Sequence, residues 1–403
     1  MLQPDVFETP FEWDCFAFLA APNDGSVLAA SDPVQAPLAS IAPAPVIDAL
    51  LSFEIDFIGQ LTVAKSLVEA DTVRAAVSAA APAEAGAWPV AEAPADAAET
   101  LEAMRLKAAF AGVTARAARF DADDFTGAGK AIVVIDDGFS WRYDQSATVF
   151  AYDFSGRNDP VASSRSLNSH GSWVAQTALR VAPEADVIHL KVFPDGGGGA
   201  SIRDVEEALQ WVIRNAEVWD VAAVNLSLGY GNAARDTRTV LSDEFAALDR
   251  IGVVSVVAAG NSHNPRAPGV NVLAADPSVL AVSATDNLDR FASFSQRHPW
   301  QTDIAALGVR VGVDTVDGLR GFVSGTSFAA PYVAGTVAAL QEAAEAVLGH
   351  DLSRRQVTHI LQASGDAVLG VGRAPGYKVA DADAAVDWFL ANAASFAQAD
   401  WVA

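Results

Sequence analysis

Three short stretches carry the residue types that nucleophilic acyl transfer needs: a carboxylate, an imidazole and a hydroxyl. The first, AIVVIDDG, is a β-branched run that delivers Asp136 at its carboxyl end and turns at Gly138. The second, NSHGSWVAQTA, sets His170 ahead of Gly171 and a small-residue helix, so the imidazole stands at a helix start with room above it. The third, SGTSFAAPYVAG, sets Ser327 at a glycine-flanked helix start. Pro331 is expected in that helix's first turn, where backbone donors have no intrahelical partner. Taken singly, each residue has a plainer role: Asp136 as a loop cap, His170 as a packing residue, Ser327 as an N-cap. Gly325, Ala329 and Ala330 favour close approach by another chain.

The elements that must position these residues read as an α/β protein from about Phe125 onward. Strands are expected at Ala131–Ile135, Asp186–Val192, Ala222–Leu226, Val253–Ala258 and Val279–Ala284. Helices are expected at His170–Leu179, Ile202–Val218, Asp236–Arg250, Phe328–Val347 and Ser353–Ala363. Near-continuous apolar strands suit a mostly parallel sheet covered on both faces, hence three layers. In such sheets sites gather at the carboxyl ends of the strands, where Asp136 lies.

Together the three motifs resemble the subtilisin-like serine peptidases, the subtilases of peptidase family S8. The likeness runs from about Phe125 to Ala385 and includes ALRVAPEADVIHLKVF, VNLSLG, DPSVLAVSATDNLDRFASFS and the closing GYKVADADAAV. It implies a three-layer subtilisin-like fold and a serine endopeptidase using an Asp-His-Ser triad of Asp136, His170 and Ser327. It also implies that Asn261, in VVAAGNS, and the Ser327 backbone N–H hold the oxyanion. Substrate would lie along Ser227, Leu228 and Gly229, taken as an exposed strand edge, with Ala258, Ala259 and Gly260 walling the primary pocket. A broad hydrophobic preference is expected there. The rival from another class is a catalytically silent subtilase-fold module that only binds peptides. An α/β-hydrolase esterase is opposed because G-T-S-F-A around Ser327 does not fit G-x-S-x-G. His170-Gly171 opposes an acid-active relative that uses Glu in place of His.

Several positions depart from the family pattern. Asp137 stands where Ser or Thr is usual; a second carboxylate beside Asp136 is expected to raise the His170 pKa and shift activity to higher pH. Ser172-Trp173 replace Thr-His and Gln176 replaces a glycine, changes expected to border the pocket. The segment between the His helix and Val181-Ala182-Pro183 lacks the loop that ligates calcium in many relatives. No cofactor is therefore expected to be required and no metal ligands are assigned, with a weaker calcium site elsewhere left open. His189, His263, His298, His350 and His359 lack metal-ligand spacing and read as packing or surface residues. Gly196–Gly199 reads as a flexible connection, not a phosphate loop.

Composition narrows the partners. A net charge of −24 repels phosphate backbones and anionic lipid, which disfavours nucleic-acid binding. No run is apolar enough for membrane insertion. One cysteine, Cys15, permits no intrachain disulfide. Residues 1–115 are Ala/Pro-rich and read as an N-terminal extension or pro-region with helices at Val46–Leu61 and Ala98–Ala111. Residues 116–390 read as the catalytic domain and 391–403 as a tail. The acidic start lacks a secretory signal. Asp400 before Trp401-Val402-Ala403 resembles the uncleaved signals of bacterial type I export machinery. Export without a cleavable signal is accordingly expected over retention in the cytoplasm.

Overall fold

Alternation along each strand divides the core into two halves. In β1 (Ala131–Asp136), Ile132 and Val134 face one apolar cluster while Ala131, Val133 and Ile135 face another. That period of two is what a sheet covered on both sides requires. The structure, a computed structural model, describes residues 117, 119–140, 146–156, 159–160, 169–195, 199–315, 320–370 and 376–396. The expected extension up to residue 115 with its two helices, Cys15, most of the Gly196–Gly199 run and the last seven residues lie outside them.

The further strands of the main sheet are β2 (Thr148–Asp153), β3 (Asp186–Lys191), β4 (Val221–Leu226), β5 (Val254–Ala258), β6 (Leu280–Thr285) and β7 (Ile304–Leu307). A separate antiparallel hairpin is formed by β8 (Val311–Asp314) and β9 (Arg320–Val323), and the edge strands β10 (Asp366–Ala367) and β11 (Lys378–Val379) complete the set. The main sheet runs in the order β10-β11-β7-β6-β5-β4-β1-β3-β2, parallel throughout except for the β10–β11 pair. The chain reverses direction across the sheet between β3 and β4, which flank β1. The carboxyl end of β1 is thus the switch point, where open α/β sheets form crevices.

Helices α1 (His170–Leu179), α4 (Thr326–Leu348), α5 (Arg354–Ser364) and α6 (Ala382–Phe396) pack on one face. Helices α2 (Ile202–Trp219) and α3 (Ser242–Arg250) cover the other. The strands and helices expected from Phe125 onward are all present, most within a residue or two of their expected bounds. The exception is α3, which starts at Ser242 and not at Asp236. Ahead of it, hydroxyls take over the backbone: Thr239 N–H donates to Ser242 Oγ at 2.7 Å and Leu241 N–H to Thr239 Oγ1 at 3.2 Å. The packed unit also passes residue 390, because Ala393 and Phe396 of α6 are buried in the core.

Helix α4 is the centre of its layer. No charged side chain occurs from Thr326 to Gln341, and small residues let neighbours come close. A Cβ at Gly335 would sit 2.5 Å from Ala178 O and 2.9 Å from Val181 Cβ, so only glycine permits the α1–α4 crossing. Pro331 requires a correction. With the helix starting at Thr326, it is the sixth helical residue, and its missing N–H is the one that would reach the Ser327 carbonyl. That carbonyl is taken instead by the Ser227 hydroxyl, which donates at 2.8 Å.

Candidate active site

Strand β1 ends in two adjacent carboxylates that do different things. Asp136 is buried, and both of its oxygens meet His170 Nδ1, Oδ1 at 2.8 Å and Oδ2 at 2.9 Å. Its Oδ1 also accepts the Asp137 N–H at 2.8 Å, which fixes the carboxylate plane. The imidazole is therefore held at one nitrogen, and about a fifth of its side chain remains exposed. Gly171 is needed where α1 starts, because a Cβ there would collide with the Gly138 carbonyl oxygen and press on Asp136 Cβ.

Asp137 anchors the start of α1, a role that sequence reasoning missed. Its Oδ2 accepts the His170 N–H at 3.0 Å, and its Oδ1 accepts the Gly171 N–H at 2.8 Å and the Ser169 hydroxyl at 2.8 Å. Ser169 in turn caps the helix by accepting the Ser172 N–H at 3.2 Å. A carboxylate at a helix N-terminus is favoured by the unpaired donors and the dipole. Burial, with the Asp136 charge second, nevertheless raises the Asp137 pKa above the usual carboxylate value. The sequence signal was the doubled Asp.

Ser327 is the second residue of α4 and is buried. Its Oγ lies 3.4 Å from the Ser227 carbonyl. The next residue, Phe328, sets its ring against the His170 ring, edge to face with centroids 5.5 Å apart. The start of α4 and the start of α1 thus meet beside the Asp136–His170 pair.

Asn261 follows β5 and Gly260. Its Oδ1 accepts both the Thr326 N–H at 2.9 Å and the Thr326 hydroxyl at 3.0 Å, so the carboxamide orientation is set. The Nδ2 end then faces the turn at Gly325, where an added Cβ would lie 3.3 Å from Asn261 Nδ2 and 3.6 Å from Ser327 N. Two nitrogen donors border one small space that only glycine leaves open. Such an arrangement can stabilise negative charge developing on an oxygen.

Ser227, Leu228 and Gly229 run on from the end of β4 and are buried, where an exposed edge was expected. Ser227 is covered by the start of α4, and the Leu228 side chain joins the apolar cluster on the α2–α3 face. Ala258 ends β5, and Ala259 and Gly260 follow it, all buried. Trp173 and Gln176, expected at the pocket border, reach the β8–β9 hairpin. Trp173 Nε1 and Gln176 Nε2 donate to Asp314 O at 3.2 and 3.3 Å, and Gln176 Oε1 accepts the Asp314 N–H at 2.9 Å.

Two further residues lie close by. Lys191 ends β3 beside Asp136 and is buried, with Nζ 3.5 Å from Asp153, 3.3 Å from Asp195 and 3.3 Å from Ser155 Oγ. A lysine inside the apolar run DVIHLKVF was its only trace in the sequence. His189 is also buried in β3, its ring 5.2 Å from Phe139; burial pulls its pKa down to about 4, against a pull upward from Asp136. It stays uncharged at neutral pH, as a packing residue should. Among the described residues, no group of three or more His, Cys, Asp or Glu could hold a metal ion, and no helix is long and apolar enough to cross a membrane.

A sequence profile of the subtilase family matches residues 127–377. A cuticle-degrading serine protease of Arthrobotrys oligospora is 33% identical over 229 residues, covering 54% of this chain and 53% of that protein. Subtilisin Savinase of Lederbergia lenta is 31% identical over 226 residues, covering 54% of this chain and 78% of that one. The crystal structure of a cold adapted subtilisin-like serine proteinase is similar with a TM-score of 0.51 and 28% identity, covering 64% of this chain and 89% of the other. The chain spans about half the length of most of the curated relatives it matches.

Proposed function

The chain belongs to the subtilase family, and from that premise we propose that it is a serine endopeptidase. Ser327 Oγ attacks the carbonyl carbon of the scissile peptide bond while His170 Nε2 takes the hydroxyl proton. Asp136 holds the Nδ1 tautomer and stabilises the imidazolium. The tetrahedral oxyanion is held by Asn261 Nδ2 and the Ser327 N–H, with the positive end of α4 adding to the field. Collapse breaks the C–N bond, and the proton on His170 passes to the leaving amine. Water, deprotonated by the same imidazole, then hydrolyses the acyl-enzyme. Side chains and backbone suffice, without a cofactor.

The observation that carries this reading is the Asp136–His170 pair at the sheet's switch point, beside the start of α4. Residues 1–115 fit the reading as a pro-region preceding the peptidase. The test is digestion of casein and of a fluorogenic peptide library by the protein and by Ser327→Ala, with fluorophosphonate labelling of both. Cleavage and labelling confined to the unsubstituted protein are expected. If neither occurs, even after removal of the first hundred residues, the chain is a peptide-binding module and not an enzyme.

A further inference from the structure

The two walls assigned to the primary pocket, Ser227–Gly229 and Ala258–Gly260, are made of small residues apart from Leu228, whose side chain joins the cluster on the α2–α3 face. Between such walls a deep cavity would be expected, open to any large apolar side chain. The structure fills that space from a third segment. A Cβ on Gly229 would meet the Asn271 carboxamide at 2.5 Å from Cγ, 2.5 Å from Oδ1 and 2.7 Å from Nδ2. From the same residue, Nδ2 donates to the Ala258 carbonyl and the main-chain N–H donates to the Ala259 carbonyl at 2.7 Å. Asn271 therefore touches both walls at once, and it is fully buried.

The side chain is also fixed in place. Its Oδ1 accepts the Leu273 N–H at 2.8 Å and the Ala274 N–H at 3.1 Å. The flanking residues pin the segment, with Val270 and Ala233 exchanging backbone bonds at 2.7 and 3.0 Å and the Val272 N–H reaching Tyr230 O at 2.8 Å. A bulky substrate group could displace the carboxamide only by orphaning two buried N–H groups and a buried carbonyl, which is costly.

We propose that Asn271 closes the floor of the primary pocket and restricts cleavage to peptides whose residue before the scissile bond (P1) is small, such as Gly, Ala or Ser. This rests on the peptidase reading above and replaces the broad hydrophobic preference expected from sequence. The specificity follows from steric exclusion. A leucine or phenylalanine side chain entering between the walls competes with the carboxamide for the same volume.

The test compares kcat/KM on peptides that differ only at P1 (Ala, Leu, Phe) for the unsubstituted protein and for Asn271→Gly, Asn271→Ala and Asn271→Asp. The unsubstituted protein should favour P1 Ala over Phe by at least about 100-fold. The two truncations should raise the Phe-to-Ala ratio about tenfold or more, while Asn271→Asp, nearly equal in size, keeps the original ratio. A preference for Phe or Leu in the unsubstituted protein, or an unchanged ratio in a folded truncation, overturns the proposal. Should both truncations fail to fold, the ratio in the unsubstituted protein decides. If no peptide is cleaved and fluorophosphonate does not label Ser327, the peptidase reading has failed separately. Calorimetry of the same peptides binding to Ser327→Ala then decides the pocket: tighter binding of the Ala peptide supports the closed floor, and equal binding removes it.

Discussion

Two buried lysines mark opposite ends of the sheet and are held in different ways. Lys130 directly precedes β1, and its ammonium lies 2.8 Å from Glu345, 3.0 Å from Asp220 and 3.1 Å from Asp351. Those carboxylates come from the end of α2, the last turn of α4 and the loop before α5, and each is itself partly exposed. Burial alone would lower the Lys130 pKa, but the three acids together outweigh it and hold it above the ordinary value. Lys191, at the carboxyl end, lies farther from its acids, and one of them, Asp153, is engaged by the loop after β2. Asp153 accepts the Ser155 N–H at 2.8 Å, the Ser155 hydroxyl at 2.6 Å and the Asp159 N–H at 3.1 Å. At the amino end, charge ties three elements together. At the carboxyl end, charge shapes loops around the proposed chemistry.

If that division holds, substitutions at the two ends should separate activity from stability. The largest effect is expected from Asn261→Ala, which should lower kcat by about 100- to 1000-fold, the loss known for the corresponding donor in subtilisin itself. The alanine variant also strips the Thr326 N–H and hydroxyl of their acceptor, so stability is compared in Asn261→Asp, which keeps that acceptor while removing the Nδ2 donor: its unfolding temperature should hardly move, and a parallel drop in stability would break the comparison. Lys130→Met should do the reverse. Leaving three carboxylates facing one another should cost about 2 kcal/mol in urea unfolding, less than for a fully buried pair because the partners reach solvent. kcat/KM should stay unchanged, and an activity loss would mean that the amino end also serves the site.

The smallest effect sharpens the boundary between the two ends. Asp137 binds the helix that carries His170 and sits beside its imidazole, so its charge favours the imidazolium. Removing that charge in Asp137→Ser should lower the His170 pKa, moving the acid limb of the kcat/KM profile to lower pH. An unchanged limb would leave Asp137 a purely structural cap.

What could be read from the chain alone depended on periodicity and on short local motifs. AIVVIDDG, NSHG and SGTSFAAP announced Asp136, His170 and Ser327, and the apolar runs announced five strands of a covered parallel sheet. The edge strand β2 escaped because TVFAYD is only partly buried and mixes its faces. The hairpin β8–β9 escaped because Gly312 and Gly321 blur its alternation, and Trp173 and Gln176 stabilise it from another helix. Asn271 left no trace at all: a single polar residue in a loop acquires its role only when β4 and β5 lie side by side. Pro331 was placed one turn too early, since a proline does not reveal where its helix begins.

That proline has a consequence for how the protein can change over generations. By deleting the amide that would have served the Ser327 carbonyl, it makes the Ser227 hydroxyl that carbonyl's partner. A lineage that exchanged Pro331 for alanine would regain the helical amide and release Ser227 from this duty. A lineage that lost the Ser227 hydroxyl first would take a donor away from the Ser327 carbonyl before any helical amide could replace it. Positions 227 and 331, about a hundred residues apart, are thus expected to drift in a fixed order, the proline before the serine.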